Sequence, residues 1–412
     1  MIITAISLLE EEYPKLRVKI TKELRKRLFL HLDNLTGDLA RSLKISKVSL
    51  RRKFFNREGY SFKLCELLFL AKKAEISENE VFSSITDTKI GDNAFWANLP
   101  TKISVDEEVT EGIGYYVGDG RLKTNGGLST TNTDVKTIKF FLKWLKKYFD
   151  VDVKNVMINI YLPRLDFNVN SEKKKWSKLL EANINSVKSK YDYKDYHKIL
   201  IEVCYFRKIA KLILDKLVPI IKEKCLANKS LAKAYIRGIM AAEGSVKHDE
   251  KSHQKAIHLK MKNKSEVEYV FKLLQLIGLT PSFLFSKQDN EWLTTISGCD
   301  ELEKLDEMDI FKSNGERRRK LKEILSDYQH RQVKKGQVKE FYLTKLLEFE
   351  RKHGKYYTAE ELSRYLKRSK SRILNVLREL RESKLVIGER IIKIGKPFKF
   401  ALTEKGKEFI SK

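Results

Sequence analysis

Two segments of the chain share a pattern of small residues that ends in an acid followed by a glycine. One is Gly112–Gly120, with the sequence GIGYYVGDG, and the other is Ile236–Gly244, with the sequence IRGIMAAEG. Small residues four positions apart leave a notch on one face of a helix, so two such helices can approach more closely than the roughly 8–10 Å that larger side chains impose. The pattern therefore predicts two helices that pack on each other. The matched pairs are Gly114 with Gly238, Gly118 with Ala242, Asp119 with Glu243, and Gly120 with Gly244.

The acid in each segment occupies an unfavourable place for a negative charge. Asp119 and Glu243 fall in the last turn of their predicted helices, where each faces the negative end of the helix dipole. Two carboxylates brought close together repel each other unless a cation lies between them. Oxygen ligands suit Mg²⁺ or Mn²⁺, and such an ion can polarise a phosphate and lower the pKa of a bound water. The sequence thus predicts a divalent metal held by this acid pair.

The residues that follow each segment also correspond. Each copy continues into a predicted pair of strands and then an amphipathic helix, and Asp134-Val135 in the first copy corresponds to Glu266-Val267 in the second. The repeat is therefore a unit of about 100 residues or more, which is long enough to form a compact body of its own. We expect an α+β fold with an internal duplication over residues 93–325.

These motifs resemble those of the LAGLIDADG (DOD-type) homing endonucleases in their monomeric, two-repeat form. The resemblance implies two αββαββα halves related by a pseudo-two-fold axis, with the motif helices at their interface and the two sheets forming a saddle over double-stranded DNA. It also implies that Asp119 and Glu243 are the metal-binding and catalytic acids. The backbone of Gly120 and Gly244 is expected to lie at the same metal site.

Members of that family carry basic or amide residues on the sheets near the metal ions. In the second half the strand AIHLKMK offers Lys260 and Lys262 for this catalytic role. In the first half the strand Leu128–Asn132 has no lysine, which leaves Arg121 or Lys123 as substitutes for contacting DNA. The first half thus departs from the family pattern, and binding without cleavage stays open as an alternative.

A helix-turn-helix pattern precedes the duplicated region. In Leu35–Phe54, apolar residues at helical spacing form the inner face of one helix, Ile45 lies in the turn, and Ser46 is placed to cap a second helix. The residues expected on the inner face are Leu35, Leu39, Ala40 and Leu43. We expect residues 1–92 to form a helical DNA-binding domain. Its predicted DNA contacts are Arg51, Arg52 and Lys53.

The other end of the chain resembles a winged helix. Thr358 and Glu361 form a capping-box pattern for one helix and Ser369 is placed to cap the next, and two β-rich segments then flank Gly395-Lys396-Pro397. We expect this domain at residues 338–412, joined to the core by a basic linker at 326–337. The residues expected to contact DNA on its second helix are Lys370, Arg372, Asn375 and Arg378.

Charge and cysteine content fit an intracellular nucleic-acid-binding protein. Lys and Arg number 83 against 55 Asp and Glu, giving a formal net charge of +28, which favours a polyanion as partner. The four cysteines form no CxxC pair, so we expect buried thiols and neither a zinc site nor disulfides. No apolar stretch approaches the roughly 20 residues that span a bilayer. The expected location is the cytoplasm.

The sequence supports one leading function and two alternatives. The leading hypothesis is a site-specific, divalent-metal-dependent DNA endonuclease, a hydrolase whose flanking domains lengthen its recognition surface. The first alternative is a transcriptional regulator that keeps the LAGLIDADG fold for DNA binding without cutting. The second is an RNA-binding maturase, because a basic sheet can also hold structured RNA through its shape and phosphates.

Overall fold

The computed structural model divides the chain into two compact units. The first comprises Met1–Gly244, Leu259–Thr294 and Leu305–Arg319, and the second comprises Ser245–His258, Thr295–Lys304 and Lys320–Lys412. The structure describes residues 2–55, 60–91, 94, 96–100, 102–122, 127–163, 166–189, 198–249, 254–326, 338–366, 368–389 and 398–411. Within these residues, no helix is both long enough and apolar enough to cross a membrane.

The N-terminal region combines short helices with a small antiparallel sheet. Its elements are β1 (Ile2–Thr4), β2 (Leu16–Ile20), α1 (Lys22–Leu32), α2 (Thr36–Ser42), α3 (Lys47–Phe54), β3 (Phe62–Lys63), α4 (Leu64–Lys73), α5 (Glu78–Ser83) and β4 (Ile85–Ile90). The sheet has the order β3-β2-β4. The prediction of a wholly helical region is wrong here, because Leu16, Val18 and Ile20 alternate inward with the period of two that a strand requires.

Helices α2 and α3 lie where the helix-turn-helix pattern was expected. The Ser46 hydroxyl accepts a hydrogen bond from the backbone N–H of Ser49 at 3.0 Å, so the predicted cap of α3 is confirmed. Leu39 and Ala40 are buried as expected. Leu35, in contrast, is 45% exposed, because it ends a short 3-10 turn before α2 and so does not lie on the inner face of that helix.

The next elements contain the first acid motif. They are β5 (Lys102–Ser104), α6 (Glu107–Asp119), β6 (Arg121–Leu122), β7 (Leu128–Asn132), α7 (Val135–Phe149), β8 (Met157–Leu162), α8 (Val169–Leu180), β9 (Ser186–Ser189), β10 (Leu200–Tyr205) and α9 (Lys208–Ala227). Their five-stranded sheet has the order β6-β7-β10-β8-β9, in which only β8 and β9 are parallel. Strand β10 lies centrally, and its residues Ile201 and Val203 are fully buried.

The second acid motif ends the first helix of the following segment. The elements there are α10 (Lys229–Glu243), β11 (Gly244–Asp249), β12 (Gln254–Met261), α11 (Lys264–Leu276), β13 (Ser282–Ser286), β14 (Glu291–Ser297), α12 (Cys299–Glu307) and α13 (Gly315–Ser326). The four-stranded sheet has the order β11-β12-β14-β13. From α10 to α12 the element types follow in the order αββαββα. From α6 to α9 the same order holds, with α8 and β9 added between the third and fourth strands.

The starts of α7 and α11 correct one predicted correspondence. The side chain of Asp134 caps α7 by accepting from the N–H of Thr137, and the side chain of Asn263 caps α11 by accepting from the N–H of Glu266. Asn263 is therefore the counterpart of Asp134, and Glu266 lies three residues inside its helix. The Glu266 carboxylate is buried, accepts a hydrogen bond from the Tyr235 hydroxyl at 2.7 Å and forms an ion pair with Lys222.

The C-terminal region alternates helices and strands around one hydrophobic cluster. Its elements are α14 (Val338–His353), β15 (Tyr357–Thr358), α15 (Ala359–Leu366), α16 (Lys370–Glu382), β16 (Val386–Glu389), β17 (Lys399–Leu402) and α17 (Glu404–Ser411). The antiparallel sheet has the order β15-β17-β16. The predicted capping box forms, since Thr358 Oγ1 accepts from the Glu361 N–H at 3.2 Å while the Glu361 carboxylate accepts from the Thr358 N–H at 2.7 Å. The predicted linker from 327 onwards and the predicted turn at 395–397 lie outside the described residues.

The cysteines differ in exposure. Cys204 and Cys225 are buried as expected, and burial raises the pKa of the Cys225 thiol to about 11. Cys65 is exposed, so the expectation of buried thiols is wrong for that residue.

Candidate functional site

The close packing of α6 on α10 is the feature that builds the site. A Cβ atom added to Gly238 would lie 1.9 Å from the carbonyl oxygen of Glu111, and one added to Gly114 would lie 2.3 Å from the carbonyl oxygen of Tyr235. Backbone atoms occupy these places, so the two helices touch where side chains would normally separate them. This confirms the helix contact that the small residues predict.

The same contact brings the two acids together. Asp119 is the last residue of α6 and Glu243 is the last residue of α10, and the helices run in parallel so that these ends adjoin. A Cβ atom on Gly118 would lie 2.5 Å from the Cβ of Ala242 and 3.4 Å from the Cγ of Glu243. Both acidic residues are half-buried. The two acidic residues therefore lie at adjoining helix ends.

Polar groups of α6, β7 and the start of α7 surround Asp119. The side-chain amide of Asn132 donates to the Asp119 carboxylate at 2.7 Å, and its carbonyl oxygen accepts from the Asp134 N–H at 2.9 Å. Tyr115 is fully buried beside them, with its hydroxyl 2.8 Å from that of Thr130. Burial, and then the charge of Asp119, raises the pKa of Tyr115 well above its ordinary value. These contacts fix the orientation of the Asp119 carboxylate.

Arg317, near the start of α13, reaches the same helix ends. Its guanidinium donates to the carbonyl oxygens of Met240 at 2.8 Å, of Ala242 at 2.9 Å, and of Ala241 between them. Burial lowers the pKa of Arg317, and the charges of Asp119 and Glu243 oppose that shift. A cation supplied by the chain therefore acts on both acids, which the sequence reasoning did not foresee.

Asp119 and Glu243 lie at adjoining helix ends but do not by themselves form a complete set of metal ligands. In the part of the chain that the structure describes, no group of three or more His, Cys, Asp or Glu residues could hold a metal ion. Mg²⁺ commonly binds through one or two carboxylates and completes its octahedral shell with waters and substrate phosphates. The donors at the ends of α6 and α10 fit that mode of binding.

The two predicted lysines of the second half have different surroundings. Lys260 forms ion pairs with Asp289 at 2.5 Å and Glu291 at 3.6 Å, and the hydrogen bond to Asp289 is the main cause of its raised pKa. Lys262 is exposed just beyond the end of β12. The charge of Lys260 is thus shared with two carboxylates, while Lys262 faces solvent.

The first half has no lysine within Leu128–Asn132, and its sheet carries an acid near this place. Thr131 pairs across the strands with Glu202, whose carboxylate accepts from Asn159 at 2.9 Å and from Tyr161 at 3.2 Å. Arg121 pairs with Ser129 in the ladder of β6 and β7, but the position of its side chain is not described, and Lys123 lies outside the described residues.

The flanking residues predicted to contact DNA fall into two groups. Arg52 is exposed, Arg51 forms an ion pair with Asp33 at 3.4 Å, and Lys53 forms an enclosed ion pair with Glu66 at 2.6 Å. The charge of Lys53 is therefore already matched within the N-terminal region. The four predicted residues of α16 are all exposed: Lys370, Arg372, Asn375 and Arg378.

Sequence reasoning missed the roles of Asn132 and Arg317. Asn132 is the last residue of β7, and an amide at the end of a strand that lacks lysine was the available signal. Arg317 belongs to the run Arg317-Arg318-Arg319-Lys320, and a basic run of this kind is typical of a solvated helix face. Nothing in the spacing of that run separates the one inward arginine from its neighbours.

Similar folds occur among solved structures. The homing endonuclease I-DmoI, in complex with DNA and Mn, shares 15% identity and a TM-score of 0.30, and the alignment covers 49% of this chain and 96% of that one. Full-length DUF199/WhiA from Thermatoga maritima shares 10% identity and a TM-score of 0.33, with 69% of this chain and 93% of that one covered. No curated protein matches the chain. Residues 230–308, which include Glu243, match the family described as the LAGLIDADG-like domain, and the chain therefore contains a domain of this kind.

Proposed function

We propose that this protein binds double-stranded DNA at specific sites and hydrolyses a phosphodiester bond there with the help of a divalent metal. The observation that carries the proposal is the meeting of Asp119 and Glu243 at the adjoining ends of α6 and α10. Two carboxylates at adjoining helix C-termini repel each other, and Arg317 supplies only one positive charge against their two. Such an arrangement is expected where the carboxylates bind a metal ion that takes part in a reaction.

The chemistry would be divided between the metal and the chain. Asp119 and Glu243, with the backbone at Gly120 and Gly244, would hold Mg²⁺ or Mn²⁺, which supplies Lewis-acid polarisation of a phosphate and a lowered pKa of water. Asn132 orients the Asp119 carboxylate through its hydrogen bond. Lys262, which is exposed beyond β12, is the lysine better placed to meet a DNA phosphate, because Lys260 is already paired with Asp289 and Glu291.

The remainder of the chain would extend the recognition surface. We propose that α6–α9 and α10–α12 are the two halves of a duplicated core within 93–325, flanked by a helix-turn-helix domain in 1–92 and, after a linker at 326–337, a winged-helix domain in 338–412. The exposed basic residues of α16 and the net charge of +28 support phosphate contact. The protein would act as a monomer, because the pseudo-two-fold relation lies within one chain.

A cleavage assay with matched variants tests the hydrolysis. Purified protein is incubated with a library of DNA duplexes and Mg²⁺, and the cut ends are sequenced. We expect Asp119→Asn and Glu243→Gln to abolish cleavage while binding is kept, and Glu223→Gln, which removes a charge at an exposed position, to leave cleavage unchanged. Cleavage that survives both site substitutions would refute the assignment of the metal site.

A transcriptional regulator that binds DNA without cutting it is the second candidate. It is favoured by the ion pair of Lys260 with Asp289 and by the cation that the chain itself supplies at the acid pair. Site-specific binding with no cleavage under any metal condition would support this candidate. In both cases the affinity for DNA should fall steeply as salt concentration rises, because bound phosphates release counterions. A flat response to salt would exclude extensive phosphate contact and hence both candidates.

A further inference from the structure

Arg317 brings a positive charge with several hydrogen-bond donors to the end of α10. Its guanidinium donates to three successive carbonyl groups in the last turn of α10, those of Met240, Ala241 and Ala242. Carbonyl groups in the last turn of a helix carry the negative end of its dipole. The Met240 carbonyl also accepts the N–H of Gly244, the residue that follows α10. Glu243 is the next residue of the same helix, so its carboxylate charge adds to the partial negative charge of these carbonyl groups.

The segment before Arg317 holds it in this place. Asn314 donates to the Ala241 carbonyl at 3.3 Å, Ser313 donates to the Glu111 carboxylate at 3.1 Å, and the Glu316 N–H donates to the Asp134 carboxylate at 3.1 Å. Ser313 and Asn314 are both buried. The arginine therefore reaches the acid pair from an anchored turn and not from a free surface helix.

The neighbouring Arg318 provides a contrast within the same helix. It forms an ion pair with Asp309 at 2.9 Å, and its side chain is 39% exposed. A guanidinium cannot lose its proton in proteins under ordinary conditions, so Arg317 keeps its charge even though it is largely enclosed. An enclosed cation beside two carboxylates interacts with them more strongly than a solvent-exposed one would.

We propose that Arg317 is a built-in cation of the acid pair, which offsets the charges of Asp119 and Glu243 so that DNA phosphates can lie at this site without a divalent metal. In the absence of DNA, the same charge lowers the affinity of the acid pair for a divalent ion. Metal would then enter the site mainly together with the phosphates of DNA. Arg317 is a positioning residue in this role, and the inference rests on the proposed binding of DNA.

Calcium binding to the free protein tests the electrostatic part without DNA or catalysis. Isothermal titration calorimetry compares the wild type with Arg317→Gln and with the control Arg318→Gln. We expect Arg317→Gln to bind Ca²⁺ about tenfold more tightly or more, as removal of a unit charge from a partly buried site of effective dielectric near 20 implies. Arg318→Gln should match the wild type. The inference would be overturned if Arg317→Gln and the wild type bound Ca²⁺ equally, or if neither bound it detectably. Weaker binding by Arg317→Gln would also overturn it, because that is the result expected if Arg317 only caps the helix.

DNA binding without metal tests the second part. A fluorescent random-sequence duplex is titrated with protein in EDTA. Arg317→Gln should weaken binding about tenfold, and adding Asp119→Asn and Glu243→Gln to the same chain should restore most of the loss, because the repelling carboxylates are then gone. An equal loss with and without the two acids would overturn the inference.

Folding must be checked in every variant by circular dichroism and thermal unfolding. If Arg317→Gln does not fold, recovery of the fold in the triple variant supports charge compensation, whereas continued failure to fold assigns Arg317 to capping alone and overturns the inference. If the wild type binds no duplex DNA with or without metal, the proposed function fails, and the calcium comparison still decides the role of Arg317.

Discussion

The contact between α6 and α10 can be tested by adding a single methyl group. Gly238→Ala would place a Cβ 1.9 Å from the carbonyl oxygen of Glu111 and 2.7 Å from the backbone nitrogen of Tyr115. Both are backbone atoms, so no side chain can rotate away and the helices must separate by more than about 1 Å to restore ordinary contact distances near 3.5 Å. Overpacking a core typically costs about 1–3 kcal/mol, and this case belongs at the upper end.

The expected loss of stability in Gly238→Ala can be compared with a glycine that has open space around it. Alanine is favoured over glycine within a helix by roughly 0.5–1 kcal/mol, and this gain partly offsets the clash at Gly238. We therefore expect Gly238→Ala to lower the free energy of unfolding by about 2 kcal/mol. At Gly37 in α2 nothing lies within 4 Å of an added Cβ, so Gly37→Ala should be neutral or stabilising.

Urea unfolding followed by tryptophan fluorescence measures both variants. Trp144 is fully buried and contacts Gly112 of α6, so its emission reports on this region. Gly238→Ala should lower the midpoint by roughly 0.5 M urea without changing the slope, because the slope for a unit of this size exceeds that of small proteins. If Gly238→Ala proves as stable as Gly37→Ala, the two helices do not approach as closely as described, and the meeting of the acids that depends on this approach is then refuted as well.

Four further outcomes are expected from other parts of the chain. Lys222→Met should cost about 3 kcal/mol in urea unfolding, because it leaves Glu266 buried without its cation. Lys224→Met should cost little, because its partner Glu223 is exposed. Thr358→Ala should cost about 1 kcal/mol by removing a helix cap. The hydrogen bond from the Thr358 N–H lowers the pKa of Glu361 below its ordinary value of 4.5. The stability that the Glu361 carboxylate contributes is therefore present above pH 4.5 and is lost as the pH falls through the lowered pKa. In acid titrations, the difference in stability between the wild type and Glu361→Gln should vanish at low pH. Arg372→Gln should weaken DNA binding at all sequences and reduce the salt slope by about one, and an unchanged slope would remove Arg372 from the phosphate contacts.

The acid pair and the contact that forms it were predictable from the sequence. The small residues Gly114, Gly118, Gly238 and Ala242 lie at helical spacing and so predict two helices in close contact. The two acids follow at the ends of those helices. Helix caps such as Ser46 were also predictable, because a serine oxygen just before a helix commonly accepts a hydrogen bond from a backbone N–H of the first turn.

The remainder depended on contacts between residues distant in the chain. Arg317 reaches carbonyl groups more than 70 positions earlier, and periodicity within its own helix gives no sign of this. Strand β2 was overlooked because five alternating residues next to long helical patterns give a weak signal. The counterpart of Asp134 was misassigned because Glu266-Val267 resembles it in sequence, whereas hydrogen bonding to the first turn selects Asn263.

Asp134 caps two helices at once, since one carboxylate oxygen accepts from Thr137 at the start of α7 and the other accepts from Glu316 at the start of α13. The family match ends at residue 308, whereas α13 begins at Gly315. A truncated protein that stopped at the family boundary would therefore lose one of the two helices that Asp134 secures, together with the arginine at the acid pair. An exchange of α6–α9 or of α10–α12 for a counterpart from another protein would have to include α13 as well to keep these contacts.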